Sequence, residues 1–422
     1  MSDHPIQPAG NARQVAVIGA GIIGLCSALW LQRAGHRVTL IDQAQPGLGT
    51  SFGNAGLFAD YARLPFTSFS LLCKMPAMLL DAQSPVSVQP SYLPQLMPYG
   101  WHFFKACFPS RYRRGKQALT ALQELAPAAD RSLLALTGTE SLVQSHGCLG
   151  LFSSVEGFAQ ARTQGLQERR EQGVELEFLS AAQVQQLEPS LNGFHAGGVY
   201  YPKTRHTISP VALSRALFAH FCDQGGRFVQ QKVDSIHADT DAVVLRCALQ
   251  RLRFDRLVIA TGAASKALAN QCGVRVPLVS ERGYHLTLDL PSDTLTRPVG
   301  WLDQGIFLTP MSDGIRVAGT AEFAACQAPP DERRSALMHT HADRMLGRHT
   351  QVKSSWMGSR PSTPDSLPVI GTLKAQPRVT LAFGHGHLGL TLAAITGKLV
   401  SQLISDQPTD IDLAPFAPER FS

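Results

Sequence analysis

The chain has 422 residues, enough for two or three domains' worth of packed core. Apolar residues make up 44% and charged residues 17%, a globular balance that excludes a disordered chain. The net charge of +6 is modest for this length, and no nucleic-acid-binding motif accompanies it, so no nucleic-acid partner is expected.

Residues 1–13 are polar, carry two prolines and lack an apolar core, and so read as a loose leader rather than a signal peptide. Residues 15–18 (VAVI) then form a short β-branched run of the kind a buried parallel strand needs. Gly19-Ala20-Gly21-Ile22-Ile23-Gly24 follows at once, with the G-x-G-x-x-G spacing. Gly19 permits a tight turn, Gly21 lets a pyrophosphate approach the backbone, and Gly24 lets the next helix pack close to the sheet. That helix is expected over 22–33, with its unpaired amides and positive dipole end aimed at the pyrophosphate. A second strand over 36–41 closes at Asp42, about 20 residues beyond the glycines, where a carboxylate accepts ribose hydroxyls and disfavours a 2′-phosphate. The unit predicts a dinucleotide-binding βαβ.

Residues 43–56 are dense in Gly, Ser and Asn, which suits either a surface loop or backbone passing close to a cofactor. Residues 64–116 combine Phe66, Phe69, Tyr99, Trp101, Phe103, Phe104 and Phe108 with a basic cluster at Arg111, Arg113, Arg114 and Lys116. A helical cap over the active site is the favoured reading, because aromatics usually serve a core; contact with an anionic bilayer is the alternative. Helices are expected over 117–136, 157–172 and 211–223, the last opened by Ser209-Pro210 and closed by Gly225-Gly226. Strands follow over 227–229, 242–247, 252–254 and 256–263, and Thr261-Gly262 should lie near the cofactor at the carboxyl end of the last. Strands with polar alternation over 283–289, 305–309 and 315–320 indicate an antiparallel sheet with one wetted face. A helix over 331–347, a strand over 379–383, a Gly-rich loop and a final helix over 390–404 complete the chain. The eight cysteines lie far apart without a C-x-x-C, as suits reduced thiols in a cytosolic protein. No run of 18 apolar residues occurs, so no membrane-spanning helix is expected.

Several stretches together resemble the D-amino acid oxidase superfamily of FAD enzymes, and most of all its bacterial D-amino acid dehydrogenases of the small-subunit type. They are VAVIGAGIIG at 15–24, GTSFGNAG at 49–56, ERGYHLTL at 281–288, GIRVAGTAEF at 314–323, GSRPSTPDSLPVIG at 358–371 and FGHGHLGLTLAAITGKL at 383–399. The resemblance runs nearly end to end. It implies a mixed α/β (α+β) fold: a discontinuous Rossmann-like FAD domain (14–62, 195–275 and 355–422) and a substrate domain with a largely antiparallel sheet (63–194 and 276–354). It implies FAD contacts at Gly19 to Gly24, Asp42, Gln43, Thr50, Ser51, Asn54, Ala55, Gly56, Leu57, Val233, Ala260, Thr261, Gly262 and Gly358. The loop Gly386, His387, Leu388, Gly389, Leu390 and Thr391 would face the N1–C2=O edge of the flavin, where a helix N-terminus stabilises negative charge. VYYPKTRHTISP at 199–210 and the histidines of ERGYHLTL and GHGHLGLT depart from the D-alanine-type pattern, and bear on the substrate more than on the chemistry.

Arg360 matches the family's carboxylate-binding arginine, and a planar guanidinium suits that task; its alternative is a structural salt bridge. Tyr284 and Arg282 match strand positions that supply substrate-pocket side chains, and either could instead serve packing or an interface. His387 is the fourth candidate catalytic residue. His385 and His387, two apart with no third ligand near in sequence, do not read as a metal site. The expected reaction is oxidation of a D-amino acid or cyclic imino acid such as D-hydroxyproline, with electrons leaving to a quinone-type acceptor. The enzyme would be cytoplasmic or peripheral on the inner face of the plasma membrane. The alternatives are a glycine- or sarcosine-type amine oxidase using oxygen, a non-catalytic flavoprotein subunit, and an NAD-linked dehydrogenase.

Overall fold

The structure is a computed structural model and describes residues 12–81, 84–248 and 250–421; residues 1–11 of the expected leader lie outside them. β1 (Gln14–Ile18) runs into α1 (Ile22–Arg33) and back through β2 (Arg37–Asp42), within a residue of the expected boundaries. Two helices, α2 (Leu93–Ala106) and α3 (Pro109–Thr137), follow within the first third of the chain. Two long strands follow, β3 (Val279–Leu288) and β4 (Gly314–Phe323), then α4 (Glu332–Leu346), β5 (Val352–Ser362) and α5 (Ala393–Ile404).

A six-stranded sheet is built around β1, with β2 on one side and the strand Arg256–Ile259 on the other, all parallel. The register sets Ile18 level with both Ile41 and Ile259, so three carboxyl ends finish together. The chain leaves β1 in one direction for β2 and returns on the other side as Arg256–Ile259, the switch point at which open α/β sheets bind ligands. Gly19 takes φ +106°, and a Cβ there would stand 2.3 Å from the Ala260 carbonyl oxygen. At Gly24 a Cβ would stand 1.8 Å from the Gly19 carbonyl oxygen. The third glycine therefore makes room for the turn's own backbone more than for the sheet. α5 crosses α1 just as closely, because Gly397 brings its backbone against the Cys26 carbonyl. The apolar faces of α1, α3 and α5 share one buried cluster, which includes Leu25, Leu29, Leu122 and Leu399.

The second large sheet has nine strands and is mostly antiparallel, as expected. It begins with β5 at its edge, then β3, β4, Ile306–Met311 and Val299–Trp301, and runs on through Cys148–Phe152 and Gly197–Tyr201. α4 covers one face, burying Met338 and Met345 against Tyr284, Leu286 and Leu288 of β3. Gly197–Tyr201 and β5 belong to this sheet, although the expected boundaries assigned those stretches largely to the dinucleotide part. Arg360 lies inside β5; the adjoining Pro361 is tolerated because β5 is an edge. The single helix expected over 157–172 is two, Val155–Thr163 and Gly165–Glu171, broken at Gln164. All eight cysteines are free thiols.

Two glycines test this packing in opposite directions. Gly100, inside α2, has no atom near its missing Cβ, so Gly100→Ala should stabilise the protein by up to about 1 kcal/mol. At Gly397 a Cβ would stand 2.6 Å from the Cys26 carbonyl, so Gly397→Ala should destabilise by about 1–3 kcal/mol. Thermal melts of the two variants should move to opposite sides of the parent.

Candidate active site

The dinucleotide-contact candidates converge where the three parallel strands end. Gly19, Ala20 and Gly21 form the turn, and Ile22, Ile23 and Gly24 open α1. The Asp42 carboxylate accepts the Ala20 amide at 2.7 Å and the Ala44 amide at 2.9 Å, using part of a capacity of about four acceptor sites. Gln43 is exposed beside it. Val233 opens the strand Val233–Ala238, three residues past Gln230, which pairs with Asp42. Ala260, Thr261 and Gly262 continue from the strand Arg256–Ile259 to the same end. The first amides of α1 lack intrahelical acceptors, and that of Ile22 is taken by Ser51 Oγ at 2.9 Å.

The loop 49–56 hangs between the two sheets and is tied to three strands of the larger one. Thr50 Oγ1 donates to the Ser359 carbonyl of β5 at 2.7 Å, and His285 Nδ1 of β3 lies 3.3 Å from the Gly53 carbonyl. From β4, Arg316 Nη1 donates to the carbonyls of Phe52 at 3.1 Å and Asn54 at 2.9 Å. Asn54 Oδ1 accepts the Gly56 amide, which turns the chain through Ala55 into Leu57. Trp356 stacks on His285 and lies against Gly53, where a Cβ would fall within its ring. Burial holds the His285 imidazole down at about 3, with Arg316 adding to the effect. Arg316 is itself buried, and burial lowers its pKa against a weaker opposing pull from Asp313. Sequence reasoning picked out the motif around Arg316 but missed this residue.

Arg360 faces Glu281 across the β3–β5 pair. Its Nη1 donates to Glu281 Oε1 at 3.1 Å and to the Thr320 carbonyl at 3.0 Å. The guanidinium lies over Gly283, where a Cβ would come within 2.3 Å of Cζ. Nε and Nη2 meet no acceptor among the described residues, which leaves one edge of the planar fork open. A bulge in β4 puts Thr320 at φ +53°, a left-handed conformation that β-branched residues avoid, next to that contact. Glu281 Oε1 also receives His387 Nε2 at 2.6 Å, and Oε2 receives the Ser362 hydroxyl at 2.7 Å. Burial alone would push the Glu281 carboxyl up; His387, then Arg360 and Ser362, outweigh it and hold the group well below the usual carboxylate range. Phe66 packs on the His387 ring at 5.1 Å, and the Tyr99 hydroxyl of α2 reaches the Thr363 carbonyl. Glu281 was not anticipated, although it shares strand parity with Gly283 and His285.

Arg282 and Tyr284 are not brought to this place. Strand alternation turns them to the opposite face of β3, toward α4. There the Tyr284 hydroxyl donates to Glu322 at 2.6 Å, and Arg282 pairs with Glu322 at 3.3 Å and donates to the Pro329 carbonyl at 2.7 Å. Both are buried packing residues. In the loop before α5, Gly386 takes φ +52°, Leu388 and Leu390 turn into the core beside Gly389, and Thr391 Oγ1 accepts the Ala59 amide at 2.9 Å. His385 and His387 point apart: His385 is buried on Thr396 while His387 reaches Glu281. Gly358 pairs with Gly283 under Trp356.

Substitutions at two positions probe this arrangement. Arg316→Met should leave the Phe52 and Asn54 carbonyls without their donor and weaken retention of the expected flavin by about 10- to 100-fold, as a lost charged hydrogen bond implies; Arg316→Lys should recover part, read by flavin fluorescence on dialysis. His285 is neutral when folded but takes a proton near pH 6.5 when unfolded. Its folded pKa is the lower one, so its contribution is full above about pH 6.5 and is lost as pH falls toward 3. His285→Asn should therefore flatten the acid-side fall in stability by up to about 1.4 kcal/mol per pH unit, measured by denaturation between pH 7.5 and 5.

The family profile described as FAD dependent oxidoreductase (DAO) matches residues 14–403. A D-amino-acid oxidase of Bradyrhizobium diazoefficiens is 33% identical over 97% of this chain and 99% of its own length. A D-amino acid dehydrogenase of Paramagnetospirillum magneticum is 29% identical over the same shares. Among solved structures, the glycine oxidase of Geobacillus kaustophilus superposes with a TM-score of 0.75 at 22% identity, covering 96% of this chain and 98% of that one. The L-proline dehydrogenase of P. horikoshii gives 0.73 at 16% identity, over 97% and 98%. These likenesses agree with the architecture read from the strands and with the end-to-end run of motifs, and the chain belongs to the DAO family of FAD-dependent oxidoreductases.

Proposed function

We propose that this enzyme oxidises a D-amino acid or a cyclic imino acid such as D-hydroxyproline at Cα, and that the electrons leave to a quinone-type acceptor. The observation that carries the reading is the open Nε–Nη2 edge of Arg360, a fork whose other corner is already fixed by Glu281 and the Thr320 carbonyl. A substrate carboxylate laid along that edge gains two parallel charge-assisted bonds.

The residues present fit FAD. A Cβ on Gly21 would stand 3.3 Å from Ser51 Oγ, which accepts the first amide of α1, and Asp42 keeps acceptor capacity at the ribose end. When bound, FAD supplies the two-electron acceptor for the Cα hydrogen. The chain supplies orientation and proton handling. Arg360 fixes the carboxylate, and thereby the direction of the Cα–H bond. His387 donates Nε2–H to the ionised Glu281, which leaves Nδ1 as the atom able to take the ammonium proton of the incoming amine. His285 cannot share that task near neutral pH, being held at about 3. Loss of hydride and proton leaves an iminium, which water converts to a 2-oxo acid and ammonium where the nitrogen is primary.

The names of the relatives support an amino acid substrate, and they divide on the acceptor: one is called an oxidase and another a dehydrogenase. A glycine- or sarcosine-type amine oxidase is the second reading, favoured by the likeness to glycine oxidase in fold.

One experiment separates them. Purified enzyme is mixed anaerobically with D-amino acids, D-hydroxyproline, L-proline, sarcosine and glycine, and loss of the oxidised flavin absorbance is followed. Bleaching by D-amino or D-imino acids, with slow recovery in air and fast recovery with a soluble quinone, is the expected outcome. Bleaching by glycine or sarcosine with fast recovery in air would replace the reading. Arg360→Ala should raise the apparent dissociation constant of the substrate by about 30- to 1,000-fold, the equivalent of about 2–4 kcal/mol for a charged bidentate pair.

A further inference from the structure

α2 has two apolar sides. One turns inward: Tyr99 reaches the Thr363 carbonyl, and Ala106 is buried. The other is exposed among the described residues. Leu93, Met97, Trp101 and Phe104 follow one another at helical spacings, and Phe108 continues the line just past the helix end. These five side chains are 42–73% exposed. Trp101 stacks on Phe104 at 6.2 Å, and Phe104 meets Phe108 edge-on at 5.2 Å, so the patch is continuous. Phe66 and Phe69 are exposed in the preceding segment. Eleven large apolar side chains are exposed among the described residues; seven of them, including every aromatic, lie between residues 66 and 108. An apolar patch of this kind marks a contact site.

Charge selects the partner. Residues 64–116 hold six Lys and Arg against one acid, Asp81, which is +5 of the chain's +6. Lys105 Nζ lies over the Trp101 ring at 4.9 Å. Arg111, Arg113 and Arg114 are exposed and make no ion pair among the described residues. No helix among the described residues is long and apolar enough to cross a membrane. An exposed aromatic stripe rimmed by unpaired cations fits the interface of an anionic bilayer: rings at headgroup depth, cations at the phosphates.

We propose that the Leu93–Met97–Trp101–Phe104–Phe108 face seats on an anionic bilayer, with Lys105, Arg111, Arg113 and Arg114 at its headgroups. The seat lies on the back of the helix that covers the Arg360 site. It would bring the site to a lipid-dissolved acceptor, although it does not depend on the acceptor's identity.

The test is sedimentation of FAD-loaded enzyme with vesicles of phosphatidylcholine alone or mixed with phosphatidylglycerol. Binding to the anionic vesicles at least 10-fold tighter than to the neutral ones, and weakened by 0.5 M salt, is expected. W101E/F104E should lower that binding at least 10-fold, and R111Q/R113Q/R114Q should abolish the preference for anionic lipid. Both variants should keep substrate-dependent bleaching of the flavin, which reports an intact fold. Parent enzyme that stays in the supernatant overturns the proposal, as does binding that survives both sets of substitutions. A dimer seen by light scattering that W101E/F104E splits, with no vesicle binding, would make the face a contact between copies and would also overturn it. Sedimentation reads no turnover, so a failed quinone assay leaves this result standing, and the reverse.

Discussion

Arg316 is 3% exposed, and among the described residues its guanidinium has no carboxylate within salt-bridge distance. Burying a cation without a counter-ion is costly, and here two carbonyl dipoles of the loop 49–56 offset part of that cost. The loop follows β2 of the six-stranded sheet, whereas Arg316 lies on an interior strand of the large sheet. A single side chain therefore couples the position of the backbone near the nucleotide turn to the strand that also bears Thr320. Because the interaction is satisfied only when both segments are in place, the distance between the glycine turn and Arg360 is set by packing and not by a flexible linker.

Around Arg360 the electrostatics are arranged in layers. Glu281 is buried and ionised, and it is shared by a guanidinium, an imidazole and a hydroxyl. It orients both Arg360 and His387 by hydrogen bonds that leave their outer edges available. The left-handed backbone at Thr320 stores strain at the same contact. Strain of this kind persists where the surroundings over-determine it, and here the bulge in β4, the pairing with β3 and the Arg360 donor all act on one carbonyl.

The segment before α3 joins the site to the exterior. On its inner side Phe66 packs on His387 and Tyr99 reaches the Thr363 carbonyl, while its outer face is exposed among the described residues. Aromatics are counted as core by default because burial is their commonest state. Helical periodicity identifies a face; it cannot report whether anything packs against it.

How much was legible therefore depends on how local each cause is. The glycine turn, α1, β2 and Asp42 were readable because φ at Gly19, the close approach at Gly24 and the buried run 15–18 are imposed within about 30 residues of one another, and the family motifs extended that reading to Arg360 and the loop before α5. Period-two alternation in β3 announced a strand with two faces, but the choice between Glu281 and the Arg282–Tyr284 pair required knowing that α4 covers one side and Arg360 of β5 the other. β5 itself went unread because an edge strand holding Gly358 and Pro361 looks like a loop. Arg316 was invisible for a similar reason: its partners are backbone carbonyls more than 250 residues away, which carry no side-chain signature. The sequence alone determined the nucleotide unit, the mixed architecture and the chemistry class. Only the tertiary structure decided which side chains share the site and which apolar face stays bare, because both depend on contacts between segments distant along the chain.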